Sequence, residues 1–185
     1  MFKLIYTVLV ALSGAALVHI AIIFLIPRLD EPQIETQLLS LSQTRDPLII
    51  SSDDSLETIS GLDPFFHYRV CFYDLEDGPF QIVSTGDVPF FSTSLIAGNG
   101  DVLFSITDRQ TINGSLNIEV RPAFEQQSLS QAHADQTINT GSVPVFVSNL
   151  KGYALIRAFV PDNSWSEIAD NFLKNIVCQN SEATN

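Results

Sequence analysis

Phe90-Phe-Ser-Thr-Ser-Leu-Ile-Ala-Gly-Asn-Gly-Asp-Val-Leu-Phe-Ser-Ile-Thr107 is the stretch that decides the fold class. Its first arm, Phe90 to Ala97, is short and carries the aromatic and branched side chains that suit a pleated surface. In its second arm Val102, Phe104 and Ile106 alternate with Leu103, Ser105 and Thr107, a strand period. Between the arms, Gly98-Asn-Gly-Asp101 predicts a tight hairpin turn, because Gly and Asn accept the positive φ it needs.

Working outward, the same grammar repeats on both sides. His67-Tyr-Arg-Val-Cys-Phe-Tyr-Asp74 reads as a strand ending at the turn-forming Leu75-Glu-Asp-Gly-Pro79, and Phe80 to Thr85 supplies another. After Asn113-Gly114, Leu116, Ile118 and Val120 alternate with Asn117, Glu119 and Arg121, a half-buried strand. Glu125 to Thr140 is polar and rich in Gln and Ser, a surface loop. Val143 to Val147 and Tyr153 to Val160 read as two more strands around Asn149-Leu-Lys-Gly152. One helix follows Pro161, with the capping-box form Ser164-Trp-Ser-Glu167. Trp165, Ile168, Ala169, Phe172 and Ile176 share the face expected on the sheet, and residues 179–185 are expected to fray. About seven short strands and one C-terminal helix predict a mainly β domain, an antiparallel β-sandwich or barrel-like fold.

The amino-terminal end obeys different physics. Leu4 to Ile26 is free of charge and mostly apolar, between Lys3 and Pro27-Arg28. About 20 such residues at 1.5 Å rise cross a hydrocarbon core of roughly 30 Å, so the run predicts one transmembrane helix. A cleaved signal peptide is the alternative, and Ser13-Gly-Ala15 has suitable residue types. The apolar run continues past it, however, and cleavage there would leave a greasy new terminus. Lys3 and the α-amino group oppose Arg28, so charge alone does not settle direction. The short arm is the easier one to leave inside, giving a single-pass, N-in expectation in a bacterial inner membrane, with the domain in the periplasm. Expected organisation is then residues 1–29 as cytoplasmic tip and anchor, 30–62 as a polar stalk, and 63–185 as the β-rich domain. Within the stalk, Ile34, Leu38 and Leu41 at helical spacing behind Pro32, and Asp54-Ser-Leu-Glu57, suggest short helices.

The formal net charge is −12, and Lys3 and Arg28 cancel Asp30 and Glu31, so all of it lies beyond residue 31. Such a domain repels phosphate backbones and anionic headgroups, which argues against nucleic-acid partners and basic-patch adsorption. The bilayer, reached through the helix, is the expected partner. Cys71 and Cys178 are the only cysteines, and in an oxidising compartment such a pair is expected to form a disulfide. Two buried free thiols are the alternative.

Asp63-Pro-Phe-Phe-His-Tyr-Arg-Val-Cys-Phe-Tyr-Asp-Leu-Glu-Asp-Gly-Pro79, with Pro89-Phe-Phe-Ser92 and Phe104-Ser-Ile-Thr-Asp-Arg109, resembles a bacterial family, domain of unknown function 1254, in its short membrane-anchored form. The resemblance covers roughly residues 63 to 160. It implies a β-sandwich-like envelope protein that acts with a separately encoded second module. It implies no catalytic residues.

Local motifs for chemistry are weak. His19, His67 and His133 lack metal-ligand spacing, and His133-Ala-Asp135 offers two ligands, too few for a closed site. His19, inside the span, reads as a packing or helix-pairing residue, as do Ala11 and Ala15, small residues four apart. Asp74, Glu76 and Asp77 hint at calcium, but the twelfth position of such a loop falls on Thr85. His67 and Cys71 are too far apart along a strand to pair, there is no G-x-S-x-G, and Gly98-Asn-Gly100 lacks the lysine and helix of a phosphate loop. Asn113-Gly-Ser115 has the form of a glycosylation acceptor.

No catalytic, cofactor or metal residue is therefore expected, and the leading expectation is a non-enzymatic, membrane-tethered envelope domain that binds another protein. Two alternatives stand beside it. One is a carrier of apolar small molecules, suggested by Phe65, Phe66, Tyr68, Phe72, Tyr73, Phe80, Phe90, Phe91 and Phe104 in the early strands. The other is a hydrolase assembled from distant carboxylates such as Asp74, Asp101 and Asp108.

Overall fold

The computed structural model describes residues 2–29, 38, 47–50, 62–86, 88–111, 114–126 and 142–180. The chain divides into two compact units, Met1–Gln33 and Ile34–Asn185.

The first unit is one helix, α1 (Phe2–Leu29), and Phe2–Ile26 is long and apolar enough to cross a membrane. Residues 2–26 are exposed throughout, Leu17 by 69% and Phe24 by 71%. Side chains of this kind facing outward all round are what a lipid environment, not a protein core, would satisfy.

Among the described residues the second unit holds nine strands in chain order: β1 (Leu48–Ile50), β2 (Phe66–Asp74), β3 (Phe80–Ser84), β4 (Phe91–Ala97), β5 (Val102–Thr107), β6 (Leu116–Pro122), β7 (Val143–Val147), β8 (Lys151–Phe159) and β9 (Val177–Asn180). A short helix, α2 (Ser166–Lys174), precedes the last. The first sheet runs β1-β2-β8-β4-β5 and the second β7-β6-β3-β9. Neither closes on itself, so the fold is a sandwich of two open sheets, not a barrel.

Alternation builds the core. Cys71, Tyr73, Phe91, Leu95, Ala154 and Ile156 point inward from the first sheet, and Phe80, Ile82, Leu116, Ile118 and Val120 from the second. Ala169, Phe172 and Leu173 of α2 join the same cluster. The hairpin between β4 and β5 forms as expected, with Gly100 at φ 88°. A register shift at Leu95/Ile96 breaks the alternation in β5, so Leu103 and Phe104 both pack on the core.

Four expectations need correction. The stretch read as a polar stalk contributes β1 to the first sheet, and Leu38 is 3% exposed in a second apolar cluster with Ile50, Tyr68, Val70 and Tyr153. Leu48-Ile-Ile50 is the apolar island that overrides its polar surroundings. β7 lies parallel to β6, not antiparallel. Parallel neighbours need a crossover of a dozen or more residues, and the long polar segment before Val143 supplies that length. The terminal helix begins later than its capping box suggested: Asp162 accepts from the Ser164 amide at 2.8 Å, a 3-10 turn spans Asn163–Trp165, and Ile168 is left 43% exposed. Finally, Gln179 and Asn180, expected to fray, pair with β3 as the end of the strand Val177–Asn180. His133-Ala-Asp135, Asp54-Ser-Leu-Glu57, Ile34, Leu41 and Asn113 lie outside the described residues.

Tyr73 carries a testable cost. Its hydroxyl is buried without a hydrogen-bond partner, and burial pushes the phenol up to about 12. Tyr73→Phe removes that unsatisfied group and is expected to stabilise the fold by about 1 kcal/mol. An unfolded phenol ionises near pH 10, the folded one only near 12. Between those values the unfolded state sheds its proton first, so stability falls as pH rises. Urea titrations at pH 8 and pH 11 should show a smaller alkaline loss for Tyr73→Phe than for the native chain.

Candidate functional site

One strand gathers most of the buried chemistry. Along β2 the inward positions are His67, Arg69, Cys71 and Tyr73, and the first three reach the carboxyl-terminal segment. His67, 2% exposed, stands 2.7 Å through Nδ1 from Asp170 Oδ1 on α2. Arg69 donates from Nη1 to the carbonyls of Leu173 at 2.6 Å and Lys174 at 3.2 Å, satisfying orphan groups at the end of α2. Burial pulls the Arg69 guanidinium below its ordinary pKa, and its Nε has no hydrogen-bond partner. Cys71 is bonded to Cys178 of β9, across a sequence separation of 107, with Cα atoms 6.2 Å apart. The bridge predicted from sequence is present, and it joins one sheet to the other.

A histidine held by a carboxylate resembles the orienting half of a catalytic triad. Here the ring is too enclosed to meet a substrate from solution. Its spacing of 103 residues from Asp170 hid the pair from any local motif. The signal that was available is chemical: two cationic or ionisable residues, His67 and Arg69, sit at inward positions of an apolar strand and must be satisfied there. Asp170→Ala removes a partner of a buried ring and is expected to cost about 1–3 kcal/mol. Asp170→Asn, which keeps the hydrogen bond, should cost less; equal urea midpoints for the two variants would contradict this.

The outer face of the first sheet has its own polar contacts. Arg157 Nε donates to Ser92 Oγ at 2.6 Å, and its guanidinium carbon lies 5.3 Å from the centre of the Phe66 ring. At one end of the sheet Lys151 bridges Glu76 at 2.8 Å and Asp74 at 3.0 Å, and those hydrogen bonds raise its pKa. On the second sheet burial pulls Arg121 down, but hydrogen bonds to Glu119 and Glu125 leave its pKa raised. These are ion pairs of the scaffold.

The carboxylate trio does not meet. Asp74 is engaged by Lys151, whereas Asp101 and Asp108 stand at opposite ends of the six-residue strand β5, roughly 20 Å apart at 3.3 Å per residue. Among the described residues no three His, Cys, Asp or Glu side chains converge as metal ligands. The aromatic residues divide: Tyr73, Phe80 and Phe91 fill the core, while Phe66, Tyr68 and Phe72 lie on the other face of the first sheet. An open cleft of about 50 Å³ is lined by Ile106, Gln110, Ser115, Asn117 and Val143. Pockets for drug-sized ligands run to about 300–1,000 Å³.

The chain matches no protein-family model and none of the curated proteins. Solved structures similar to it include two from bacteria. The VPA0106 protein from Vibrio parahaemolyticus is 11% identical, with a TM-score of 0.48, over 64% of this chain and 28% of that one. An uncharacterized protein from Burkholderia cenocepacia is 17% identical, with a TM-score of 0.44, over 69% of this chain and 35% of that one. The chain spans about a third or less of either structure's length.

Proposed function

We propose that this chain is a membrane-tethered β-domain of the bacterial cell envelope, held by α1 in the inner membrane with its amino terminus inside and its sandwich in the periplasm. Its role in this proposal is to bind a second envelope protein, without catalysing a reaction. The observation that supports it best is the pairing of an outwardly apolar α1 with the Cys71–Cys178 bridge. Disulfides persist in oxidising compartments, which favours the exported side of the membrane for the domain. The resemblance of residues 63–109 to the domain of unknown function 1254 family suggests the partner: a protein carrying the companion module.

Two measurements test this. A reporter enzyme active only after export, fused behind Asn185, should be active; activity from a reporter that works only in the cytoplasm would reverse the topology. Cross-linking in native membranes followed by purification should recover one stoichiometric envelope protein. Repeated recovery of the chain alone would remove the interaction role.

A further inference from the structure

We infer that the Cys71–Cys178 disulfide is a redox latch on β9: its reduction releases that strand from β3 while the sandwich and α2 stay folded. β9 is four residues long, pairs among the described residues with β3 alone, and keeps no side chain fully buried. Val177 is 46% exposed. Beyond the β3 ladder it is held, among the described residues, by the disulfide, by Cys178 packing on the core, and by a hydrogen bond from Asn180 Nδ2 to the Asp74 carbonyl at 3.0 Å on the exposed surface. α2, just before it, is anchored independently. Phe172 and Leu173 are buried in the core, Asp170 meets His67, and Arg69 caps the helix end. Ile176, 2% exposed, then marks the point where the chain can part.

Cys71 is fully buried and Cys178 partly exposed, so an entering thiolate meets Cys178 Sγ. A dithiol reductant attacks there, forming a mixed disulfide and expelling Cys71 as a thiolate that takes a proton. The second thiol of the reductant then displaces Cys178 and leaves as the oxidised dithiol. The protein gains two electrons and two protons, and the reductant loses them. With β9 gone, the outer N–H and C=O groups of β3 become an open sheet edge, the kind that accepts an extended segment.

The test is hydrogen exchange by mass spectrometry on the full chain in detergent micelles, before and after treatment with dithiothreitol, with thiol titration confirming two free cysteines. Amides of 177–180, and those of β3 that face them, are expected to exchange at least about 10-fold faster, while β2, β4, β8 and α2 keep their protection. Unchanged exchange in 177–180 would overturn the latch. Equal loss of protection in every strand would also overturn it, because the bond would then be holding the whole sandwich. The Cys71→Ala/Cys178→Ser variant should reproduce the local pattern without reductant, and a variant that is unfolded throughout counts against the proposal.

Discussion

Breaking the Cys71–Cys178 bond lowers the unfolding free energy by about 2–4 kcal/mol, the largest effect expected of any single covalent change in this chain. The bond closes a loop of about a hundred residues, since the two cysteines are 107 apart. In the chain-entropy account a loop of that size contributes about 4.7 kcal/mol, and native strain or residual unfolded structure lowers the measured value. The bridge also ties β2 of the first sheet to β9 of the second. Urea unfolding of oxidised and reduced protein should therefore differ in midpoint. The reduced form should also show the steeper slope, because its unfolded chain is less compact. Coincident curves would show that the bond adds nothing to global stability.

Gly152→Ala is expected to cost about 3 kcal/mol, at the upper end of the range for overpacking. Gly152 is buried in β8, the middle strand of the first sheet, between Tyr73 of β2 and Ala97 of β4. A Cβ there would collide with the carbonyl oxygen of Ile96 and stand 2.6 Å from the Tyr73 hydroxyl. The ring can tilt; the carbonyl belongs to a paired backbone and cannot. A drop of about 6–12 °C in Tm follows for a domain of this size. Adding Tyr73→Phe should recover part of that loss and not all of it, because the clash with Ile96 remains. Thermal melts of the single and double variants decide this, and an unchanged Tm for Gly152→Ala would show that the strands give way more easily than their pairing suggests.

Legibility of the fold followed length and period. Strands with a clean two-residue alternation, β6 above all, were readable because one face is buried and the other is not. β1 was hidden by its length, three apolar residues in a polar stretch, and β9 by its exposure, which looks like a fraying end. The parallel partnership of β6 and β7 depends on where a long connection returns, which no local pattern encodes. At the start of α2, two adjacent polar residues competed for the cap and Asp162 won over Ser164, because its carboxylate can hold both the amide and the hydroxyl of Ser164. The disulfide was legible from the cysteine number and the expected export of the domain. His67 with Asp170 and Arg69 with the end of α2 were not, since each joins residues more than a hundred positions apart.

The position of β8 has a consequence for how the chain is made. β2 and β4 do not pair with each other; both pair with β8, along nine and seven residues respectively. β8 is the eighth strand to leave the ribosome. Until residue 159 is available, two aromatic-rich strands of the first sheet have open edges and no partner between them. Long-range pairings of this kind fold slowly and expose surfaces that aggregate in the meantime. If the sandwich is exported as proposed, it would thus stay unfinished until residue 159 had crossed the membrane. Under that topology its nascent form would be a client for whatever holds unfolded polypeptides on the far side.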